Sequence, residues 1–258
     1  MRVVTSIFVA MSWVGVSPWQ APSSGIELVV KVEARRLAGQ DVPEQIARII
    51  KEQMPDGSAE VQYITDGKGV RSTLSGRMFG LGNGTVRLVA PGNSNMYVLN
   101  PTDRTYSLAR ENWGSLAGKK PEFHFQLTNT FRTILGYKAQ RVLGSYRQMV
   151  ELPAAEGSDA KVVREVRAEI ENWCTSELKI PVLMGRMMDT TQRLVGRSDF
   201  QYSDKCLLPL ESAVKTSVLP GLEIVSTTTS IRRLSKLPPR AFQLPDGYRK
   251  AGEGATAK

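Results

Sequence analysis

Apolar and charged residues alternate with a period of two along several segments of this chain, and this pattern constrains the fold more than any other feature. In the first segment Leu28 and Val30 alternate with Glu27 and Lys31. Such alternation is typical of a β-strand with one face buried and the other in water. The same alternation recurs over residues 162–171 and 210–218.

Shorter strand candidates lie between these segments and are separated by turn signals such as Asp66-Gly67 and Pro220-Gly221. The candidates are Val61–Thr65, Arg71–Leu74, Val86–Ala90, Met96–Leu99, Thr105–Leu108, Thr133–Leu143 and Glu223–Leu234. Strands with one wet face belong to antiparallel sheets. About eight to eleven of them predict a mainly β (α+β) fold, with a strongly curved antiparallel sheet or incomplete barrel.

Two segments break the alternation in favour of helix. Asp41 and Glu44 form a capping-box-like start. The stripe that follows consists of Ile46, Ile49, Ile50 and Met54. The second helix is predicted from about Pro181 to Val195. We expect one or both helices to cover the apolar face of the sheet.

The first 24 residues form a separate unit. A positive start, an apolar run over Val3–Val16 and a small polar stretch follow one another in the order of a secretory signal peptide. The apolar run is shorter than the roughly 20 residues that a membrane span needs, although a short uncleaved anchor is the alternative. We therefore expect an exported protein with one domain over residues 25–250 and a disordered tail over 251–258.

Export changes the interpretation of the cysteines and of the charge. Cys174 and Cys206 are an even pair in an oxidising compartment, which favours a disulfide, and two buried free thiols are the alternative. The net charge is +9. For an exported chain this charge favours contact with an anionic membrane surface or envelope polymer over nucleic acid. The alternative is that scattered basic residues serve only solubility.

Catalytic motifs are nearly absent. His124 is the only histidine and lies in Phe123-His124-Phe125, with no Ser or Cys beside it in sequence. The glycine cluster Gly80–Gly84 fails phosphate-loop spacing and is interpreted as a flexible hairpin tip. The sequence also lacks the closely spaced pairs of Cys and His residues that are typical of structural zinc sites. Glu165, Glu169 and Glu171 alternate with basic residues and indicate a solvated face. We expect neither an enzyme nor a metal or cofactor, with paired-carboxylate hydrolysis as a minor alternative.

Several sequence blocks resemble an exported bacterial family called domain of unknown function 4412 (DUF4412). The blocks are Met96–Pro101, Asp103–Tyr106, Arg132–Arg141, Glu171–Leu178 and Phe242–Tyr248, and the resemblance spans Ile26 to Lys250. It implies a relation to the LolA and LppX-like periplasmic lipoprotein carriers. Their fold is an incomplete antiparallel barrel with helices over a concave apolar face. The resemblance also implies the bacterial periplasm or cell envelope, and it supplies no catalytic or ligand residue.

The resulting hypothesis is a protein that holds a lipid, an acyl chain or a lipidated partner in an apolar half-barrel. Methionine side chains suit irregular apolar ligands. The candidate ligand contacts on the second helix are Leu183, Met184, Met187, Met188 and Leu194. The alternative for these residues is a dry core, which would suit a structural or interaction protein of the envelope with a solid barrel. An exported hydrolase is the third, weaker possibility.

Overall fold

The computed structural model describes residues 25–93, 95–109, 122–153, 161–178, 180, 184, 206 and 208–252. The predicted signal peptide lies outside this part of the chain. So do most of the second predicted helix and the last six residues of the predicted tail. The described strands are β1 (Gly25–Arg36), β2 (Ser58–Thr65), β3 (Val70–Ser75), β4 (Val86–Val89), β5 (Met96–Asn100), β6 (Thr105–Ala109), β7 (Glu122–Ile134), β8 (Tyr137–Pro153), β9 (Lys161–Thr175), β10 (Leu208–Thr216), β11 (Leu222–Leu234) and β12 (Arg249–Lys250). The described helix is α1 (Glu44–Gln53).

All described strands form one sheet in the order β12-β6-β5-β4-β3-β2-β1-β11-β10-β9-β8-β7. Neighbours are antiparallel except for β12, which pairs with β6 in parallel. The sheet is curved and does not close, because its end strands β12 and β7 are not partners in the described chain. The predicted mainly β fold with a strongly curved antiparallel sheet is therefore confirmed. A closed barrel is not formed, and the twelve strands exceed the predicted range.

Alternate residues of β1 define two faces of this sheet. Leu28, Val30 and Val32 are almost fully buried and belong to the main core cluster. Ile46 and Ile50 of α1 pack against the same cluster. We call this side of the sheet the helix face. Because burial of a large apolar side chain contributes about 1.5–3 kcal/mol, this cluster supplies much of the stability of the fold.

The first helix is shorter at its start than the sequence indicates. It begins at Glu44, with Pro43 at the N-cap position and no side-chain cap, so the predicted capping box at Asp41 is wrong. Proline suits the entry to a helix, because its φ is fixed near the helical value and it has no backbone N–H that would be left without a partner. The predicted stripe is correct at Ile46, Ile50 and Met54, but Ile49 is 37% exposed.

The C-terminal segment covers the opposite face of the first half of the sheet. Ala241 and Phe242 are buried with residues of β2, β4 and β5 in a second cluster. Gly69 lies directly under Phe242, and a Cβ atom at that position would be 2.7 Å from the ring. Only glycine therefore permits this close approach of the segment to the β2–β3 turn.

The predicted strand Thr133–Leu143 is two strands joined by a tight turn. β7 ends at Ile134 and β8 begins at Tyr137, and these two residues pair directly. Leu135 and Gly136 between them have φ angles of 50° and 83°. Two positive φ angles match a type I′ hairpin turn. The expectation of one continuous strand over Thr133–Leu143 was wrong because a Leu-Gly turn lacks the Asn-Gly or Asp-Gly signal that marks a type I′ hairpin.

We expect Leu135→Asn to raise the free energy of unfolding by about 1 kcal/mol, because leucine is strained at positive φ and asparagine is not. Leu135 is 46% exposed, so its replacement removes little buried apolar surface. Urea unfolding midpoints measure the change. Gly136→Ala is the control and should lower the midpoint. A lower midpoint for Leu135→Asn would contradict the strain argument.

The loop that contains the glycine cluster is packed, in contrast to the predicted flexible tip. Met78 forms a bridge with Leu81 and is 1% exposed within the main core cluster. The Phe79 amide donates to the carbonyl of Gln53 at 3.2 Å. The loop between β3 and β4 therefore fastens the end of α1 to the sheet.

Candidate ligand-binding face

One of the five predicted ligand contacts lies within the described chain. Met184 has no exposed surface and lies in the main core cluster with Leu178 and Leu210. Leu183, Met187, Met188 and Leu194 lie outside the described residues. The structure thus places Met184 among core side chains and does not test the remaining four predictions.

A line of polar side chains crosses the helix face. The register pairs Ser226 of β11 with Val32 of β1, Ser212 of β10 with Ser226, and Asn172 of β9 with Ser212. Laterally paired residues of an antiparallel sheet point to the same face. All three polar residues therefore share the face of Val32. Thr228 lies two positions further along β11 on this face, and we call these four residues the polar band.

The polar band is half-buried at Asn172 and Ser212, buried at Ser226 and Thr228, and incompletely hydrogen-bonded. Ser226 is 7% exposed and Thr228 is 2% exposed. Among the described residues, four buried side-chain atoms have no hydrogen-bond partner, and two of them are Asn172 Oδ1 and Thr228 Oγ1. An unpartnered buried polar atom costs about 1–3 kcal/mol. The sheet therefore carries a local energetic penalty at this place.

Apolar residues flank the polar band on both sides. On one side, Ile170, Val214 and Ile224 form a lateral row of paired residues. These three side chains are almost fully buried. On the other side lies Cys174, and its disulfide with Cys206 packs against Val142, the lateral partner of Asn172. The face thus combines broad apolar contact area with a few unsatisfied polar groups, which is the composition usual for sites of small amphipathic ligands.

The disulfide ties this flank together. Cys174 and Cys206 are bonded, with their Cα atoms 5.2 Å apart, so the alternative of free thiols does not apply. Cys174 lies on the helix face next to Asn172, and Trp173 points to the other side, as the alternation along β9 requires.

The side of β7–β10 opposite the helix face carries the charges. Arg141 pairs with Glu171 at 2.6 Å, and the Trp173 indole N–H donates to the same carboxylate at 3.1 Å. Arg132 pairs with Glu211, and its guanidinium lies 4.0 Å from the centre of the Trp173 ring. These contacts join four neighbouring strands and fix their register.

Two carboxylates on this side, those of Glu165 and Glu171, are bound by arginine side chains. The hydrogen bond from Arg141 lowers the pKa of Glu171. Hydrogen bonds from Arg167, and then from Arg147, lower the pKa of Glu165. A general acid needs the opposite shift. Of the three glutamates predicted to lie on a solvated face, Glu169 is exposed, whereas Glu165 and Glu171 are partly buried in ion pairs.

His124 lies on the edge strand β7 and is exposed. The register places Ser145 of β8 opposite it, a neighbour that the sequence did not reveal. Both side chains are open to solvent. Within the described residues, no group of three His, Cys, Asp or Glu side chains is arranged to hold a metal ion.

A shallow cleft of about 250 Å³ opens beside the β10–β11 turn. It is bordered by Leu37, Pro220, Ala168 and Thr216. The last two lie on the helix face, two residues along their strands from the flanking row of Ile170 and Val214. This volume is below the range of roughly 300–1,000 Å³ that is usual for small-molecule pockets. Of the helices in the described chain, none is long and apolar enough to cross a membrane.

No family model matches the chain, and no curated protein sequence matches it. Two solved structures align with it over most of their length. A LolA superfamily protein from Nitrosomonas europaea is 11% identical, with a TM-score of 0.31 and coverage of 86% of this chain and 90% of that chain. A DUF1329 family protein from Desulfovibrio piger is 13% identical, with a TM-score of 0.34 and coverage of 86% and 91%. At these TM-scores the alignments carry no argument, so the proposals below depend on the chain's own residues.

Proposed function

We propose that this chain is an exported, non-enzymatic protein of the bacterial periplasm or cell envelope. It holds an acyl chain or a lipidated partner against the helix face of its sheet. The observation that carries the proposal is the polar band, a set of polar side chains with two buried, unpartnered atoms inside an otherwise apolar face. Each buried polar group without a partner in a native structure calls for an explanation, and a bound ligand group supplies one here.

Other features support the exported location. The disulfide between Cys174 and Cys206 suits an oxidising compartment. The N-terminal segment has the order of a signal peptide, and the net charge of +9 suits an anionic membrane surface. The proposal includes membership of the DUF4412 family. It is supported by the Ile134–Ala139 and Trp173 sequence blocks, which form the β7–β8 hairpin and the centre of the charged side of the sheet.

A second candidate is a structural or interaction protein of the envelope with a solid core. The observation in its favour is the dense packing of the helix face, where Leu28, Met184 and Leu210 have no exposed surface. Such a protein would dock partners through its basic surface. Its interactions would weaken with added salt, because exposed charges are screened.

Native mass spectrometry distinguishes the two candidates. The full chain is expressed for export, purified without detergent, and measured before and after extraction with organic solvent. We expect an additional lipid-sized mass that extraction removes and that added lipid restores. A clean protein mass with no uptake of added phospholipid or monoacylglycerol would contradict the lipid proposal and favour the solid interaction protein.

A further inference from the structure

We propose that the polar band binds the uncharged hydrogen-bonding group of an amphipathic ligand, such as the hydroxyl, ester or amide next to an acyl chain. This inference rests on the proposed function and specifies the ligand's chemistry. It starts from the position of the band, which lies between the apolar row of Ile170, Val214 and Ile224 on one side and the Cys174–Cys206 disulfide on the other.

The size of the band suits a small polar group. Asn172, Ser212 and Ser226 lie on three adjacent strands, which are spaced roughly 4.8 Å apart, so the outer two are separated by about 10 Å. Thr228 extends the band along β11 on the same face. A hydroxyl, ester or amide group can contact two of these side chains at once, and the rest of the ligand then lies over the apolar flanks.

The available atoms favour a ligand that both donates and accepts hydrogen bonds. Asn172 Oδ1 is an unpartnered acceptor, and the Thr228 hydroxyl is an unpartnered donor and acceptor. Thr228 is only 2% exposed, so bulk water does not satisfy it. These groups match a glycerol hydroxyl, an ester carbonyl or an amide.

The surroundings of the band oppose a charged ligand group. On the helix face, the described residues within two positions of Asn172, Ser212 and Ser226 on their own strands are all uncharged; they are Ile170, Cys174, Leu210, Val214, Ile224 and Thr228. The nearby basic residues Arg141, Arg167 and Lys215 fall on the opposite side by the alternation of β8, β9 and β10. A carboxylate or phosphate placed on the band would be a buried charge without a counterion, which is strongly unfavourable.

The test compares two probes with the same acyl chain, 1-monomyristoylglycerol and myristate, measured with the full-length protein at pH 8. We expect the neutral monoacylglycerol to bind at least about tenfold more tightly than the carboxylate. In the double variant Asn172→Leu/Thr228→Val, affinity for the monoacylglycerol should fall about tenfold, since loss of a hydrogen bond of about 1.4 kcal/mol corresponds to that factor. Myristate affinity should stay within about twofold.

Thr227→Val is the matched control, because Thr227 is the neighbouring threonine on the opposite side of β11. It should leave both affinities unchanged. Circular dichroism and urea unfolding establish that each variant folds. The double variant should be at least as stable as the wild type, because its apolar replacements remove unpartnered polar atoms.

Three results would overturn the inference. If the wild type binds both probes with the same affinity, and the double variant does so too, the band does not select the ligand. Lipid binding itself would then still be supported. A more stable double variant with unchanged affinity for both probes would show that the band holds only water. If no probe binds and no lipid co-purifies, the proposed function fails together with this inference.

Discussion

Replacement of Met184 by alanine is expected to lower the free energy of unfolding by about 2–5 kcal/mol, the range for truncation of a buried methionine in a core. Met184 has no exposed surface and shares the main core cluster with Leu178 and Leu210. Its removal leaves a cavity in the main core cluster. Urea unfolding monitored by circular dichroism gives the change.

Met184→Leu is the matched control, because this swap conserves volume and should cost less than about 1.5 kcal/mol. The result separates the two interpretations of the methionine. If Met184→Ala is as stable as the wild type but takes up less lipid in native mass spectrometry, then Met184 is a ligand contact and not a core residue.

Loss of the disulfide is expected to lower the free energy of unfolding by about 3–4 kcal/mol, through the entropy of the unfolded chain that the bond restricts. The bond joins residues separated by 32 positions. It tethers the end of β9 to the start of β10 and holds Val142 in a small apolar cluster. The comparison is between the wild type and Cys174→Ala/Cys206→Ala, each with and without reductant.

Reductant should destabilise the wild type and leave the double alanine variant unchanged. The reduced wild type and the variant should then unfold at similar urea concentrations. If the wild type has the same midpoint with and without reductant, and intact mass shows that the thiols were reduced, the bond does not contribute to stability.

The strands were largely predictable because their signal is local. In β1, β9 and β11 most buried apolar residues recur at every second position, and only an extended chain places such residues on one side. The hairpin at Leu135-Gly136 was missed for a related reason. The pair Leu135-Gly136 lacks the Asn-Gly or Asp-Gly signal of a type I′ turn, because leucine is not a residue that indicates positive φ.

The sequence does contain a signal for the polar band. Asn172, Ser212 and Ser226 occupy the apolar phase of their strands, next to Ile170, Val214 and Ile224 respectively. A polar residue at a buried-phase position is informative, because polar groups are normally buried only with partners. On a single strand, however, each of these residues is also compatible with an ordinary edge of the core.

By itself the sequence determined the local elements, the burial phase of each strand, and the availability of a single cysteine pair. The tertiary structure alone decided the strand order, in which β1 and β11 are neighbours, and therefore which distant polar residues meet. The reason is physical: alternation depends on the nearest residues along one chain, whereas lateral register depends on pairing between segments far apart in sequence. The candidate site consists of such lateral neighbours, so it became visible only once the strands were paired.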